Sequence, residues 1–199
     1  MILIDLLRHG ATETPGRLLG RTDPALSETG WRQVERQTAN RSWDLIIASP
    51  RRRACAAAQW LAAERRVALR LDEDWTELDF GDWDGRLIAE LRADPSTAEA
   101  FAALYAGADA DAAPGGENWG NLKARVSGAV QRLLAEAAGA RVLVITHAGP
   151  MRATLAVACG LPFANLWAFK IDPGTGLTLS AGRDSSGSLW GEIVEVVQP

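Results

Sequence analysis

Histidine is almost absent from this sequence, with two residues in 199, and cysteine is no commoner. Cys55 and Cys159 lack CxxC spacing and both fall in helix-like stretches, so they are expected to be buried free thiols, as in a chain that works in the reducing cytoplasm. No apolar run reaches the ~18 residues that a membrane-spanning helix needs. The apolar start is broken by Asp5 and Arg8, against the order of a signal peptide. Positive charge is not in excess either: 21 Lys and Arg against 25 Asp and Glu leave a formal net charge of -4. Neither nucleic acid nor an anionic membrane is therefore expected as a partner. Tyrosine and phenylalanine are rare, one and four, whereas tryptophan numbers eight. Scattered as they are, the tryptophans are expected to fill the core and line clefts.

What is present alternates. The length suits a single domain over residues 1–199 with enough buried surface for a full core. The short runs ILIDLL, DLIIAS, VALRL and VLVITH are apolar at nearly every position, as strands covered on both faces are. Helical patterns lie between them. SETGWRQVERQTAN opens on the capping residue Ser27, RRRACAAAQWLAAE is alanine-rich, and WGNLKARVSGAVQRLLAEAAG places Leu122, Val126, Val130, Leu133 and Ala137 on one face. This order predicts an α/β fold: a three-layer sandwich with a mainly parallel central sheet and helices on both faces. The stretch from Trp75 to Asn118 breaks the alternation and reads as a small inserted cap, at about 75–118. GLTLSAGRDSSGSLWGEIVEVV reads as an antiparallel edge hairpin, which leaves a homodimer open.

The two histidines occupy equivalent places. ILIDLL ends in Arg8-His9-Gly10, and VLVITH ends in His147-Ala148-Gly149. DLIIAS ends in Ser49-Pro50, just before a helix that carries Arg53. Open α/β sheets bind ligands beyond the carboxyl ends of their strands, so two histidines and two arginines are delivered to one rim. Guanidinium groups match phosphate oxygens, helix N-termini add backbone donors, and an imidazole can attack phosphorus to form a covalent intermediate. The pattern points to a phosphoryl pocket. The arginines oppose a metal dication between the histidines. Ser49 with His147 lacks the Gly-x-Ser-x-Gly elbow of a serine hydrolase, and the Asp79-Phe80-Gly81 triplet stands without the other kinase motifs.

These residues carry a resemblance. LLRHGATE resembles the Arg-His-Gly signature of the histidine phosphatase superfamily, the phosphoglycerate mutase-like proteins. DPALSETGWRQ, ASPRRRACAAA, TELDFGDWDG, PGGEN and THAGPMR resemble its further segments, in order, over residues 1 to about 170. TELDFGDWDG with PGGE is most similar to the α-ribazole phosphatase branch, which works late in cobalamin synthesis. The resemblance implies a metal-independent phosphatase without cofactor, acting on a small phosphorylated metabolite. His9 would be the nucleophile. Arg8, Arg53 and His147 would hold the phosphoryl oxygens, helped by Thr12 and Ala148. Glu77 would be the general acid; residue patterns alone do not distinguish it from the neighbouring acids. Trp83, Glu117 and Trp119 would be cap contacts. The chain departs from the family pattern at Ala11 and Pro15, where Glu or Gln and a phosphate-binding Asn are usual. Alternative functions are a phosphoglycerate mutase, a broad-specificity or fructose-bisphosphate-type phosphatase, and a non-catalytic phosphate-binding module.

Overall fold

The structure is a computed structural model that describes residues 1–108 and 110–199. In chain order the elements are β1 (Ile2–Arg8), α1 (Glu28–Thr38), β2 (Leu45–Ala48), α2 (Arg52–Arg65), β3 (Leu69–Leu71), α3 (Ile88–Ala93), α4 (Ala98–Ala103), α5 (Trp119–Glu136), β4 (Arg141–Thr146), α6 (Ala148–Ala158), β5 (Gly176–Arg183) and β6 (Leu189–Val197). Short 3-10 turns lie at Glu73–Trp75, Gly81–Trp83 and Phe163–Ala168. The strands form one six-stranded sheet in the order β3-β2-β4-β1-β5-β6. The first four of that order pair in parallel, and β5 and β6 join antiparallel at one edge, as the hairpin pattern predicts.

Alternation along the central strands makes two cores. Ile2, Ile4 and Leu6 of β1, with Val142 and Val144 of β4, meet Leu122, Val126, Val130 and Leu133 of α5. Leu7, Leu143 and Ile145 face the other way, against Val34 of α1 and the alanines of α2. Each fully buried Leu, Ile or Val contributes roughly 1.5–3 kcal/mol, which is why nearly continuous apolar runs become central strands. Ser27 caps α1 through Gly30 N, and Asn118 caps α5 through Asn121 N. Helix α5 stops at Glu136 with Ala137 as its cap, and Ala137 packs, partly buried, against the same core as Leu122, Val126, Val130 and Leu133. Cys55 is buried as expected, but Cys159 is only half-buried, near the end of α6.

Asp5, in the sequence merely an interruption, sits inside. Its carboxylate accepts from Trp43 Nε1 at 2.6 Å and Arg141 Nε at 2.7 Å, and from the Thr178 hydroxyl. Burial pushes its pKa up, but the hydrogen bonds from Arg141, Thr178 and Trp43 outweigh that and hold it below 3.8.

The segment between β3 and α5, joined by Leu18 from the β1–α1 connection, builds a third, smaller core of Leu18, Phe80, Trp83, Leu91, Phe101, Leu104 and Ala113. It stands beyond the carboxyl ends of the strands, next to the rim that carries the histidines.

Candidate active site

Register explains why the two histidines meet. Strands β1 and β4 are adjacent and parallel, with Arg8 opposite Thr146. One residue further on, His9 N donates to Thr146 O at 2.9 Å, so His9 and His147 leave the sheet side by side. Their ring centroids lie 5.1 Å apart, 65° from coplanar. Both are buried, His147 completely.

The hydrogen bonds of His9 determine its tautomer. Nδ1 lies 2.8 Å from the carbonyl oxygen of Gly10, which can only accept, so Nδ1 carries the proton. Arg53 Nε donates to Nε2 at 3.3 Å, so Nε2 holds a lone pair. Burial first, then the charges of Arg8 and Arg53, hold the imidazole's pKa well below 6.5, against the opposing Gly10 bond. The ring is therefore neutral near pH 7, with Nε2 as the nucleophilic atom. Burial and the charge of Arg53 likewise depress His147. Its Nε2 is 2.8 Å from Ser49 Oγ, while Nδ1 is buried without a partner among the described residues.

Arg53 is fully buried and uses all its donors within the protein. Besides Nε, one terminal nitrogen bonds Thr22 O at 3.0 Å and Asp23 Oδ1 at 3.1 Å, and the other bonds Leu19 O and Gly20 O. Asp84 takes the backbone N–H groups of Gly20, Arg21 and Thr22 at 2.7–2.9 Å, which fixes the same loop from the far side. Arg8 donates to Ile171 O at 2.8 Å, and its Nε is buried without a partner among the described residues.

Glu77 Oε1 accepts from Leu78 N at 2.9 Å and Gly149 N at 3.0 Å, which ties it to the first turn of α6. Arg125 secures its backbone, donating to the carbonyls of Asp74, Thr76 and Glu77 while pairing with both oxygens of Glu117 at 2.8 Å. The sequence carried no sign of this role for Arg125.

Arg8, His9 and Glu77 share the wall of a cavity of about 780 Å³. Ala148, Trp119 and Tyr105 also line it. Arg53 and His147 stand directly behind His9 rather than on the wall. Three expected contacts fall elsewhere. Trp83, expected as a cap contact, is 5% exposed and belongs to the small core, because its ring packs edge-on against Phe101. Glu117 is taken up by Arg125 and faces a separate polar cavity beside Glu77. Thr12 is buried in a bridge to Leu26 and lines neither cavity. Arg152, not foreseen, does line the main cavity. It lies four residues after Ala148, one helical turn along α6 on the same side. Tyr105 remains a phenol: burial and the charge of Glu77 push it up to about 12.

Residues 4–188 match the family described as the histidine phosphatase superfamily (branch 1). A bifunctional protein of Mycobacterium tuberculosis is 33% identical over 84% of this chain, which spans 47% of that protein's length. The chain thus spans about half the length of the first curated relatives it matches. The adenosylcobalamin/alpha-ribazole phosphatase of Escherichia coli is 26% identical over 85% of each chain. Among solved structures, a mycobacterial glucosyl-3-phosphoglycerate phosphatase superposes with a TM-score of 0.83 at 28% identity, covering 96% of each chain.

Proposed function

The chain belongs to the histidine phosphatase superfamily (branch 1), and from that premise we propose that it hydrolyses phosphomonoesters through a phosphohistidine formed on His9. The carrying observation is the tautomer of His9: Nδ1 tied to Gly10 O and Nε2 left with its lone pair. In the first step Nε2 attacks phosphorus and the bond to the leaving oxygen breaks. Glu77 gives that oxygen a proton, since an alkoxide leaves poorly. Water then attacks the phosphohistidine, Glu77 takes up its proton, and phosphate departs with the imidazole restored. Arg8 and His147 supply donors to the phosphoryl oxygens. Arg53 gives up its bond to His9 to join them, and Ala148 adds its backbone at the start of α6. No metal or cofactor enters these steps.

The finer reading is an α-ribazole 5′-phosphate phosphatase or a phosphatase of a related small metabolite, at work in the cytoplasm and in cobalamin synthesis. It is supported by the E. coli relative's name and by an aromatic cavity wall suited to a ring-bearing leaving group. In this reading the chain is a single domain whose segment 75–118 acts as the cap. The outer strand β6, with Val194 and Val196 exposed, is the face on which a homodimer would form. No helix among the described residues is long and apolar enough to cross a membrane.

The test is a comparison of leaving groups in Glu77→Gln. Turnover of alkyl phosphates should fall ~100-fold or more, within the range of general acid catalysis, and that of p-nitrophenyl phosphate far less. Equal losses would remove Glu77 from the acid role. A screen with α-ribazole phosphate and 3-phosphoglycerate, read for free phosphate against phosphoryl return, separates phosphatase from mutase.

A further inference from the structure

Beyond the groups that phosphoryl transfer uses, the main cavity is cationic in a way that a phosphomonoester does not explain. Arg17, Arg92 and Arg152 line it together with Arg8, and Glu77 is the one carboxylate among the described lining residues. The whole chain, by contrast, carries a net charge of -4. None of these three arginines forms an ion pair with a carboxylate among the described residues. Arg17 donates to Gly85 O at 2.6 Å, and Arg92 lies 5.9 Å from the centre of the Phe101 ring. Arg152 is the most constrained. Its guanidinium lies over Trp167 at 4.4 Å, and its Nε is buried without a partner among the described residues. A buried donor left unanswered is costly, and stacking on an indole leaves the edge of the guanidinium free for the oxygens of a carboxylate or phosphate.

The surroundings are apolar. Tyr105, Trp167, Phe163 and Trp119 form a chain of edge-to-face rings with centroids 5.2, 5.9 and 5.1 Å apart, and all four line the cavity. A charge in such a setting is less screened than at an open surface, so a paired anion is held more firmly.

We infer that the substrate's leaving group carries a second anionic group, a carboxylate or a phosphate, which seats on Arg152 while its apolar body lies along this aromatic wall. The inference rests on the phosphomonoesterase reading and selects among the small metabolites that reading allows. α-Ribazole 5′-phosphate, whose leaving group is uncharged, would cover the wall and leave Arg152 unpaired.

Matched aryl phosphates test it. 3-(4-Phosphonooxyphenyl)propanoate and its primary amide differ only in charge. 4-(Phosphonooxymethyl)phenyl phosphate and the corresponding alcohol test a second phosphate in place of the carboxylate. The wild type should prefer an anionic member over its neutral match by at least tenfold in kcat/KM, mostly through KM. The pair showing the larger preference identifies the anion. Arg152→Gln should lower kcat/KM for the anionic compound at least tenfold more than for its match, and Arg152→Lys should restore part of the difference. Equal kcat/KM within both wild-type pairs, or equal losses in Arg152→Gln, would overturn the inference. Calorimetry on the phosphonate analogues reads the same preference in wild-type protein without turnover. Failure to hydrolyse any ester therefore counts against the phosphatase reading, and equal binding within the pairs counts against the second anion.

Discussion

Nε2 of His9 lies 3.3 Å from Nε of Arg53, a donor that can only give its hydrogen. The same ring gives its own proton to Gly10 O, 2.8 Å away. A single tautomer satisfies both contacts, and it leaves the lone pair on the nitrogen that faces the arginine. Arg53 aims this nitrogen, and burial, reinforced by the charges of Arg8 and Arg53, keeps it unprotonated.

The two imidazoles should therefore resist protonation. Because the chain has only two histidines, ring-nitrogen NMR can follow each of them. Both midpoints in the free protein should lie below 6.5, as burial and the neighbouring arginines dictate. The sign for stability follows. Below pH 6.5 the unfolded chain binds protons that the folded chain refuses, so stability should decline from 6.5 down to the folded-state midpoints. A histidine midpoint at or above 6.5 would contradict this electrostatic account.

Arg53→Lys should damage fold and activity together. Five N–H donors are used at this fully buried position, and an ammonium offers three from another geometry. Urea unfolding should show a loss of about 2–3 kcal/mol, the scale of stranded charged hydrogen bonds. A variant as stable as the wild type would show that the loop at 19–23 does not depend on this guanidinium.

Gly149→Ala should act on Glu77. A Cβ at position 149 would come within 2.2 Å of Glu77 Oε1, although the helical backbone there accepts alanine. The carboxyl must move, so alkyl phosphates should lose at least tenfold in kcat while p-nitrophenyl phosphate suffers less. Unchanged kinetics with alkyl substrates would mean that the contact with Gly149 N is not what positions the acid.

Asp5→Asn should cost about 1–3 kcal/mol at neutral pH, as expected for a buried, charge-assisted network. Asp5 is held below its ordinary 3.8, so its contribution is complete above that pH and disappears as pH falls through the folded-state value. Urea midpoints of variant and wild type should converge at low pH. A constant gap down to pH 2 would remove ionisation from the explanation.

Much of this was legible because short-range rules sufficed. Nearly continuous apolar runs marked β1, β2 and β4, and the rule that ligands bind beyond strand ends brought His9 and His147 to one rim. Pairwise facts across the fold were not legible. Asp5 looked like an interruption until Trp43, Arg141 and Thr178 closed around it. Glu77 stood among many acids, distinguished only by likeness until Gly149 N appeared beside it. Trp83 looked like a wall residue because the sequence does not say which side of a small core an indole faces. Arg152 could have been found: once Ala148 was placed at the rim, the residue one turn later belonged there too.

The central claim is that His9 Nε2 forms a bond to phosphorus. Rapid acid-free quenching of a slow substrate, followed by intact mass measurement and alkaline and acid stability tests, addresses it directly. The account predicts one phosphoryl group per chain, stable to base, labile to acid and absent in His9→Ala. A phosphoryl adduct that persists in His9→Ala would contradict it, as would turnover by that variant at the wild-type rate.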